Sequence, residues 1–313
     1  MISNKEKNFI SAVIYVHNCE NEIKKFLEKL NEVLNTNFNK YEIICVNDAS
    51  TDNSVNRINE FANNVSDSIV TILNMSYYQG LELSMNAGVD LSIGDFVYEF
   101  DNIYMDYKMD VVIDVYRKSL EGFDIVSASP DKNKSISSKL FYKVFNKNAN
   151  NMYELETESF RILSRRAINR VQSINKTIPY RKAVYANCGL KLSNIKYETI
   201  RKTSIIKDKK IKNQRKDLAV DSLILFTDVA YKISIFISIL MMIVAIATGI
   251  YTLYIFICQN PISGWTTTML LLSFSFFGIF TILTIIIKYL SILIDLIFKK
   301  QKYIVESIEK ITK

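Results

Sequence analysis

The sequence predicts an α/β protein, with a mostly parallel sheet covered by helices on both faces and followed by a two-helix transmembrane hairpin. Two observations lead to this prediction. Apolar, β-branched runs of strand length alternate with segments of helical periodicity through the first 130 or so residues, which is typical of parallel α/β sheets. No Asp, Glu, Lys, Arg or His occurs between Lys232 and Lys288. Because a bilayer core needs about 20 apolar residues as helix, this stretch has room for two spans.

The alternation gives five strands and four helices. The first predicted strand, FISAVIYV, is an almost continuous apolar run, as expected of a strand that is buried on both faces. The strands are predicted at 9–16, 41–46, 68–75, 96–100 and 123–127. The helices are predicted at 23–34, 54–62, 80–91 and 108–120.

The charge-free stretch is divided by the turn residues of 259–264, which predict spans at about 233–258 and 265–288. Lysines and arginines flank both outer ends, whereas the turn has no charge. The positive-inside rule therefore predicts a multi-pass protein of the cytoplasmic membrane, with both the N-terminal domain and the C-terminus in the cytoplasm. The predicted organisation is a soluble domain, a juxtamembrane amphipathic segment, the hairpin and an amphipathic tail, at 1–215, 216–231, 232–290 and 291–313.

The net charge of +7 does not indicate nucleic acid as a partner. Much of the basic excess lies beside the predicted spans, where attraction to the anionic headgroups of the lipid bilayer explains it. The four cysteines are dispersed without a C-x-x-C spacing, so a zinc site is not expected. An N-terminal signal peptide is not expected, because residues 1–7 are polar and the apolar run after them is only of strand length.

Three polar segments follow predicted strands, at 17–22, 47–53 and 101–106. Ligands of parallel sheets bind beyond the carboxyl ends of the strands, so these segments are expected to meet at one edge. Their carboxylates could hold ribose hydroxyls, base edges or a divalent metal. The alternative is that Asn, Asp and Ser serve there only as loop formers and helix N-caps.

Several motifs occur in an order that resembles family 2 glycosyltransferases of the GT-A fold, in the polyprenyl-phosphate branch that includes dolichol-phosphate mannose synthase. The segment YEIICVNDASTDNS at 41–54 resembles the family's E-I-I-x-V-D-D-x-S-x-D-x-S element. Gly94-Asp95-Phe96-Val97 leads into Asp101 at the spacing of the family's D-x-D metal motif, and FRILSRR at 160–166 resembles its F-R-L-x-x-R element.

The resemblance implies transfer of a sugar from a nucleotide-sugar, with UDP and GDP equally compatible, to a polyprenyl phosphate, with Mg²⁺ or Mn²⁺ as cofactor. It implies nucleoside contacts for Glu20 and Asp48, and a diphosphate and metal contact for Asp101. Arg161 is expected to act with Asp101 in catalysis, as a ligand of the acceptor phosphate or the diphosphate. Further acceptor-phosphate candidates are Arg165, Lys132 and Lys134.

The chain departs from the family pattern at Ile103, which stands where the second Asp of D-x-D belongs. Asp106 or Glu99 could replace that ligand, or the metal could be dispensable. An ion pair of Arg161 with Glu156 or Glu158 is the alternative to a ligand role. Two hypotheses follow: an active transferase, or a catalytically weak or inactive homologue that binds donor or lipid and organises a glycan-assembly complex. A homo-oligomer is left open.

Overall fold

The computed structural model describes residues 5–65, 68–131, 136–148, 153–174, 180–200 and 305–310, together with isolated positions between 219 and 293. The chain divides into two compact units. The first contains residues 1–147, 151–218 and 301–313, and the second contains 148–150 and 219–300. The candidate site lies entirely within the first unit.

The first unit is built on an eight-stranded sheet in the order β7-β5-β6-β4-β1-β2-β3-β8. Its strands are β1 Ile10–Val16, β2 Tyr41–Asn47, β3 Ile69–Met75, β4 Phe96–Phe100, β5 Ile125–Pro130, β6 Phe160–Ser164, β7 Leu192–Tyr197 and β8 Val305–Lys310. The strands β4, β1, β2 and β3 are mutually parallel, and β5 is parallel to β7. The strand β6 runs antiparallel between β4 and β5, and β8 runs antiparallel to β3.

The helices of the first unit connect these strands. They are α1 Ile23–Asn37, α2 Ser54–Asn63, α3 Leu81–Leu91, α4 Asp110–Leu120, α5 Ile136–Asn148, α6 Arg165–Ile174 and α7 Arg181–Asn187. The helix α1 is amphipathic: its fully buried residues, Ile23, Phe26, Leu27, Leu30 and Leu34, recur at the spacing of one helical face.

The helix α3 lies directly on the sheet at Gly88. A Cβ atom at this position would stand 2.4 Å from Val13 Cγ1 on β1 and 2.6 Å from Val46 Cγ2 on β2. A side chain at this position would overlap both valines, and the glycine therefore allows α3 to pack directly against β1 and β2.

The predicted α/β architecture is confirmed, with all five predicted strands and all four predicted helices present within a few residues of their expected bounds. The sequence analysis did not predict β6, β7 or β8. The tail expected at 291–313 to be an amphipathic segment contains, at Val305–Lys310, an edge strand of the sheet. The sequence of this strand, VESIEK, has only two apolar residues, three positions apart, so it shows no strand periodicity.

The predicted membrane hairpin falls mostly outside the described residues. The described positions between 219 and 293 are all helical. Among the residues that the structure describes, no helix combines the length and the apolar character needed to cross a membrane.

Candidate active site

The three polar segments lie at the same carboxyl edge of the sheet, because β4, β1 and β2 are neighbouring parallel strands, and the first two segments are in contact. The loop after β1 is joined to the loop after β2 by Asn18, whose side-chain oxygen accepts the N–H of Thr51 at 2.8 Å. Glu20 makes a second link, because its Oε2 accepts the N–H of Asn53 at 2.9 Å. Its own N–H donates to Asp52 Oδ2 at 3.0 Å. These bonds fix the two loops as one surface, on which contact of Glu20 with a nucleoside stays a prediction.

Asp48 is fully buried where β2 ends. Its Oδ1 accepts the N–H of Gln79 at 2.7 Å, and its Oδ2 accepts the N–H of Gly80 at 2.8 Å. The Tyr15 hydroxyl donates to Oδ2 at 2.9 Å, and burial raises the pKa of that phenol, as does the nearby Asp48 charge. The carboxylate thus anchors the turn that starts α3, and its predicted nucleoside contact is not tested by this arrangement.

Asp101 follows β4 and is held by two arginines. Arg161 on β6 donates from Nη2 to Asp101 Oδ2 at 2.8 Å, and Arg181 on α7 donates from Nη2 to Asp101 Oδ1 at 2.7 Å. Glu99 lies two residues earlier on the same face of β4, where Arg161 Nη1 donates to its Oε2 at 2.9 Å and the Tyr185 hydroxyl donates to its Oε1 at 2.8 Å. The sequence-based expectation that Glu99 and Asp101 share one face is confirmed.

Each arginine has a further acidic partner nearer the surface. Arg161 Nε donates to Glu158 Oε2 at 2.9 Å, so the ion pair considered as an alternative for Arg161 is present in the structure. Arg181 Nε donates to Glu82 Oε2, also at 2.9 Å, and its Nη1 lies 2.8 Å from Glu99 Oε1. We call these residues the arginine–carboxylate cluster; they are Glu82, Glu99, Asp101, Glu158, Arg161 and Arg181.

Sequence reasoning missed Arg181. It pairs with Glu82 and Asp101, which are 99 and 80 residues away along the chain. No motif spacing connects these positions. The one available signal was that an arginine adjoins a tyrosine and a lysine at the start of a short apolar helix.

The arginine–carboxylate cluster is buried and has more acids than bases. Four carboxylates surround two guanidiniums whose side chains are 1% and 0% exposed, whereas the Asp101 side chain is 13% exposed. Burial works against the charge of Asp101, but Arg181 and Arg161 outweigh it and hold the pKa of that carboxyl well below its ordinary value. The outer rim of the cluster, formed by Asp101, Glu82 and Glu158, is therefore anionic, and the nearby Lys182 ammonium offsets part of this charge.

Asp101 is the one residue of the cluster whose carboxylate fits a divalent cation as a ligand. Each Asp101 oxygen accepts one guanidinium N–H, which leaves each of them a further lone pair. A Mg²⁺ ion in a nucleotide site commonly takes one or two carboxylates together with substrate phosphates. Asp101 would hold the ion in this way, and the anionic rim favours a cation. Among the described residues, no group of three or more His, Cys, Asp or Glu side chains is arranged to hold a metal ion.

The two residues proposed to replace the second Asp of the D-x-D motif do not join Asp101 as open ligands. Glu99 has no exposed surface and is engaged by Arg161, Arg181 and Tyr185. Asp106 is buried and accepts the Tyr197 hydroxyl at 2.8 Å. Ile103 belongs to the hydrophobic core, which explains why this position has no contact with the polar edge.

Arg165 lies at the opposite edge of the sheet, which corrects its assignment as an acceptor-phosphate ligand. Because β6 is antiparallel to β4, Arg161 pairs with Glu99, whereas Arg165 follows Ser164 beside the amino end of β4. Its guanidinium donates to the carbonyl oxygens of Ser92 and Gly94 at 3.0 and 2.6 Å. Arg165 therefore holds the loop that enters β4.

The two predicted acceptor lysines, Lys132 and Lys134, lie outside the described residues. The residues just before them, Pro130 and Asp131, line a cavity of about 290 Å³ at the carboxyl ends of β5 and β7. Its other lining residues are Lys139, Tyr142, Lys143, Asn146, Glu154, Leu155, Glu156, Thr157 and Lys196. The cavity connects to the arginine–carboxylate cluster through α7, because Lys182, next to Arg181, places its Nζ 3.5 Å from the Tyr142 hydroxyl.

Solved structures support the fold. The first unit resembles a mannosyltransferase from Pyrobaculum calidifontis, PcManGT, determined in complex with GDP-Man and Mn²⁺, with a TM-score of 0.51 and 13% identity. The match covers 70% of this chain and 63% of that one. At this identity the likeness shows the α/β GT-A-like fold alone.

Curated relatives are glycosyltransferases by name. The chain is 27% identical over 195 residues to the uncharacterized glycosyltransferase sll0501 of Synechocystis, a match that spans 60% of each protein. It is 26% identical over 311 residues to a prophage bactoprenol glucosyl transferase homolog of Escherichia coli, covering 96% of this chain and 99% of that one.

The family itself is identified by its sequence profile. Residues 11–171, about half of the chain, match the profile of glycosyl transferase family 2. The matched region contains Asp48, Asp101 and Arg161 together with the sheet edge that joins them. This chain belongs to glycosyl transferase family 2.

Proposed function

We propose that this protein is an active glycosyltransferase that moves a sugar from a nucleotide-sugar to a polyprenyl phosphate for a cell-surface glycan. The observation that carries the proposal is Asp101, held on both oxygens by Arg161 and Arg181 at the carboxyl edge of the sheet, near the loops of Glu20 and Asp48. The polyprenyl acceptor is supported by the E. coli relative, a prophage bactoprenol glucosyl transferase homolog that matches over nearly the whole chain.

The chemistry begins with a phosphate oxygen of the acceptor, which attacks the anomeric carbon of the donor sugar. The bond between that carbon and the nucleoside diphosphate breaks, and the diphosphate leaves with the electron pair. An acceptor that is already an ionised phosphate needs no strong general base. A Mg²⁺ or Mn²⁺ ion bound at Asp101 would offset the charge on the leaving diphosphate. Arg161 and Arg181 hold the Asp101 carboxylate ionised and oriented for that role.

The acceptor phosphate is proposed to bind at the cavity beyond β5. Its lining contains three lysines, Lys139, Lys143 and Lys196, and three carboxylates, Asp131, Glu154 and Glu156, of which Glu156 lies 3.6 Å from Lys196 Nζ. Lys139 and Lys143 are the lysines proposed to contact the phosphate. Lys182 lies between this cavity and the arginine–carboxylate cluster, so the two ligands would meet without crossing the sheet. The lysines attract a phosphate as point charges, without the paired geometry that an arginine offers.

The protein is further proposed to act at the cytoplasmic face of a membrane, anchored by a hairpin at about 233–258 and 265–288. The support is in the sequence: the stretch without charge, the basic flanks and the uncharged turn. A membrane location would bring the sugar-nucleotide site to the leaflet that contains a lipid phosphate.

One observation favours the second candidate function, a homologue with weak or no catalysis. Ile103 removes a metal ligand of the family motif and is buried in the core, and neither Glu99 nor Asp106 is open to replace it. Such a protein would still bind donor or lipid while it organises a glycan-assembly complex.

Full-length protein in detergent, supplied with polyprenyl phosphate, Mg²⁺ or Mn²⁺ and a panel of labelled UDP- and GDP-sugars, tests the proposal. We expect labelled lipid with at least one donor, and a loss of at least about 100-fold in kcat/KM for Asp101→Asn, since electrostatic groups at a leaving charge commonly contribute this much. Arg166→Gln, which removes a surface ion pair with Asp124, is the control and should retain activity.

The outcomes separate the two candidates. Binding of UDP or GDP without labelled lipid for any donor would favour the inactive homologue. The absence of both nucleotide binding and labelled lipid would overturn the transferase and a donor-binding homologue, because each of these requires the donor site.

A further inference from the structure

Arg181 joins two parts of the site that are far apart in sequence. Its Nε and its backbone N–H both donate to Glu82 Oε2, at 2.9 and 3.0 Å. Its Nη2 donates to Asp101 Oδ1 at 2.7 Å, and its Nη1 lies 2.8 Å from Glu99. The Arg181 side chain is fully buried, and these three carboxylates hold its guanidinium in one position.

Glu82 connects this arginine to the loop that anchors Asp48. It lies in the first turn of α3, and α3 begins directly after Gln79 and Gly80. The N–H groups of Gln79 and Gly80 are the donors that bind the two oxygens of Asp48. A continuous path therefore leads from Asp48 through the start of α3 to Arg181 and on to Asp101.

Neutralising the buried carboxylates is a role that Arg181 shares with Arg161, and it does not explain this path. Arg161 already donates to Glu99 and Asp101 from the neighbouring strand. Arg181 instead divides its donors between the end of β4 and the start of α3, and the planar guanidinium fixes the separation of the two acceptors. That separation lies between the residues expected at the nucleoside and at the diphosphate.

We propose that Arg181 is a positioning residue that sets the distance between the nucleoside and diphosphate halves of the donor site. The inference rests on the proposed donor site and goes beyond it, because it assigns a role to a residue outside the family motifs. Arg181 acts through its contacts with Asp101 and with Glu82 on α3. It is not proposed to contact the donor itself.

The first test is the binding of UDP and GDP to the full-length protein in detergent with Mg²⁺, measured by calorimetry. We expect Arg181→Gln to weaken nucleoside diphosphate binding at least about tenfold, a loss typical of one charge-assisted hydrogen-bonded contact. Arg181→Lys should recover only part of it, because one ammonium cannot hold both acceptors in fixed geometry. In turnover, the donor KM should rise and the acceptor KM should stay the same. Arg166→Gln, the matched arginine–carboxylate pair on the surface, should bind as the wild type does.

The second test is a double-mutant cycle with Glu82→Gln. If Arg181 acts through Glu82, the single change Glu82→Gln weakens UDP or GDP binding, and adding it to Arg181→Gln produces little further loss. Additive losses, or an unchanged donor affinity in folded Arg181→Gln, would overturn the inference. Should Arg181→Gln fail to fold, Glu82→Gln and Arg181→Lys decide the question, since an unchanged donor affinity in both overturns it.

These results are separable from failure of the proposed function. If the wild-type protein binds neither UDP nor GDP, the proposed donor site itself is contradicted. If the Arg181 and Glu82 variants bind UDP or GDP as tightly as the wild type does, only the proposed role of Arg181 is contradicted. A rise in acceptor KM without a change in donor binding would also contradict the inference, because it would place Arg181 at the other substrate.

Discussion

Ile103 lies in the hydrophobic core, two residues beyond Asp101, whose side chain is mostly buried. Its side chain is 5% exposed and packs in the hydrophobic cluster beneath the sheet edge. The direction of this side chain, and not only its identity, separates the chain from the family's D-x-D pattern. A carboxylate placed at this position would enter apolar surroundings and would not reach the anionic rim.

We therefore expect Ile103→Asp to lower the free energy of unfolding by roughly 3 kcal/mol, because the new carboxylate is buried without a partner. Urea unfolding, followed by far-ultraviolet circular dichroism, measures this change in the free energy of unfolding. Ile103→Val is the control and should cost about 1 kcal/mol, the loss for one buried methyl group. A stable Ile103→Asp protein with raised affinity for Mn²⁺ would show that the side chain can turn to the rim.

Single residues also mark where sequence reasoning stops. Asp48 and Asp101 were found because each directly follows an apolar strand, and parallel strands bring such positions to one edge. The ion pair of Arg161 with Glu158 was foreseen as an alternative because the two residues are close in sequence. Arg181 was not found, since its partners are brought to it only by the packing of α7 beside α3 and β4.

At the scale of elements, the position of α3 depends on the absence of a side chain at Gly88. In an exposed helix, replacing glycine by alanine gains about 1 kcal/mol from helix propensity. Here the added Cβ would stand 2.4 Å from Val13 Cγ1, inside van der Waals contact with a strand that is buried on both faces. Steric overlap therefore outweighs propensity.

We expect Gly88→Ala to lower the free energy of unfolding by about 1–3 kcal/mol, the usual cost of overpacking a core. It should also weaken donor binding, because α3 positions Glu82 and the Gln79–Gly80 turn. Adding Val13→Ala removes one of the two overlaps, so the double variant should lose less stability than the sum of the single changes. Strict additivity would mean that α3 moves away from the sheet without resistance.

Elements were predictable from sequence where burial was complete. The strands β1 to β4 are almost wholly apolar, and α1 and α2 have clear amphipathic spacing. The antiparallel β6 was recognised only as a motif, because an arginine interrupts its apolar run. The strands β7 and β8 lie at the two edges of the sheet and are half polar, and their pairing partners are remote in sequence.

At the scale of the whole molecule, two carboxylates outside the arginine–carboxylate cluster couple stability to pH. Burial opposes the charge of Asp52, but hydrogen bonds from Ser54 and from the N–H of Glu20 outweigh it and lower the pKa of its carboxyl. Burial likewise opposes the charge of Asp124, and Arg166 with Ser164 lowers its pKa. A lowered pKa means that the folded protein stabilises the ionised form of the carboxyl group more than the unfolded chain does.

The contribution of these two groups is therefore complete above the unfolded pKa of aspartate, about 3.9, and is lost as the pH falls through their lower folded values. We expect the unfolding midpoint in urea to be steady between about pH 7 and 5 and to fall below about pH 4. Asp124→Asn should make the fall shallower, whereas Asp114→Asn, at an exposed position, should not. An unfolding midpoint that is constant down to pH 3 would contradict the prediction.

The edge strand β8 has a topological consequence. Both β7, which ends at Tyr197, and β8, which starts at Val305, belong to one hydrogen-bonded sheet. Because the sheet cannot itself span a bilayer, both of these strands must lie on one side of any membrane to which the protein is anchored. The proposed anchor between them would therefore have to cross the membrane an even number of times, and two passes meet this condition whereas one does not.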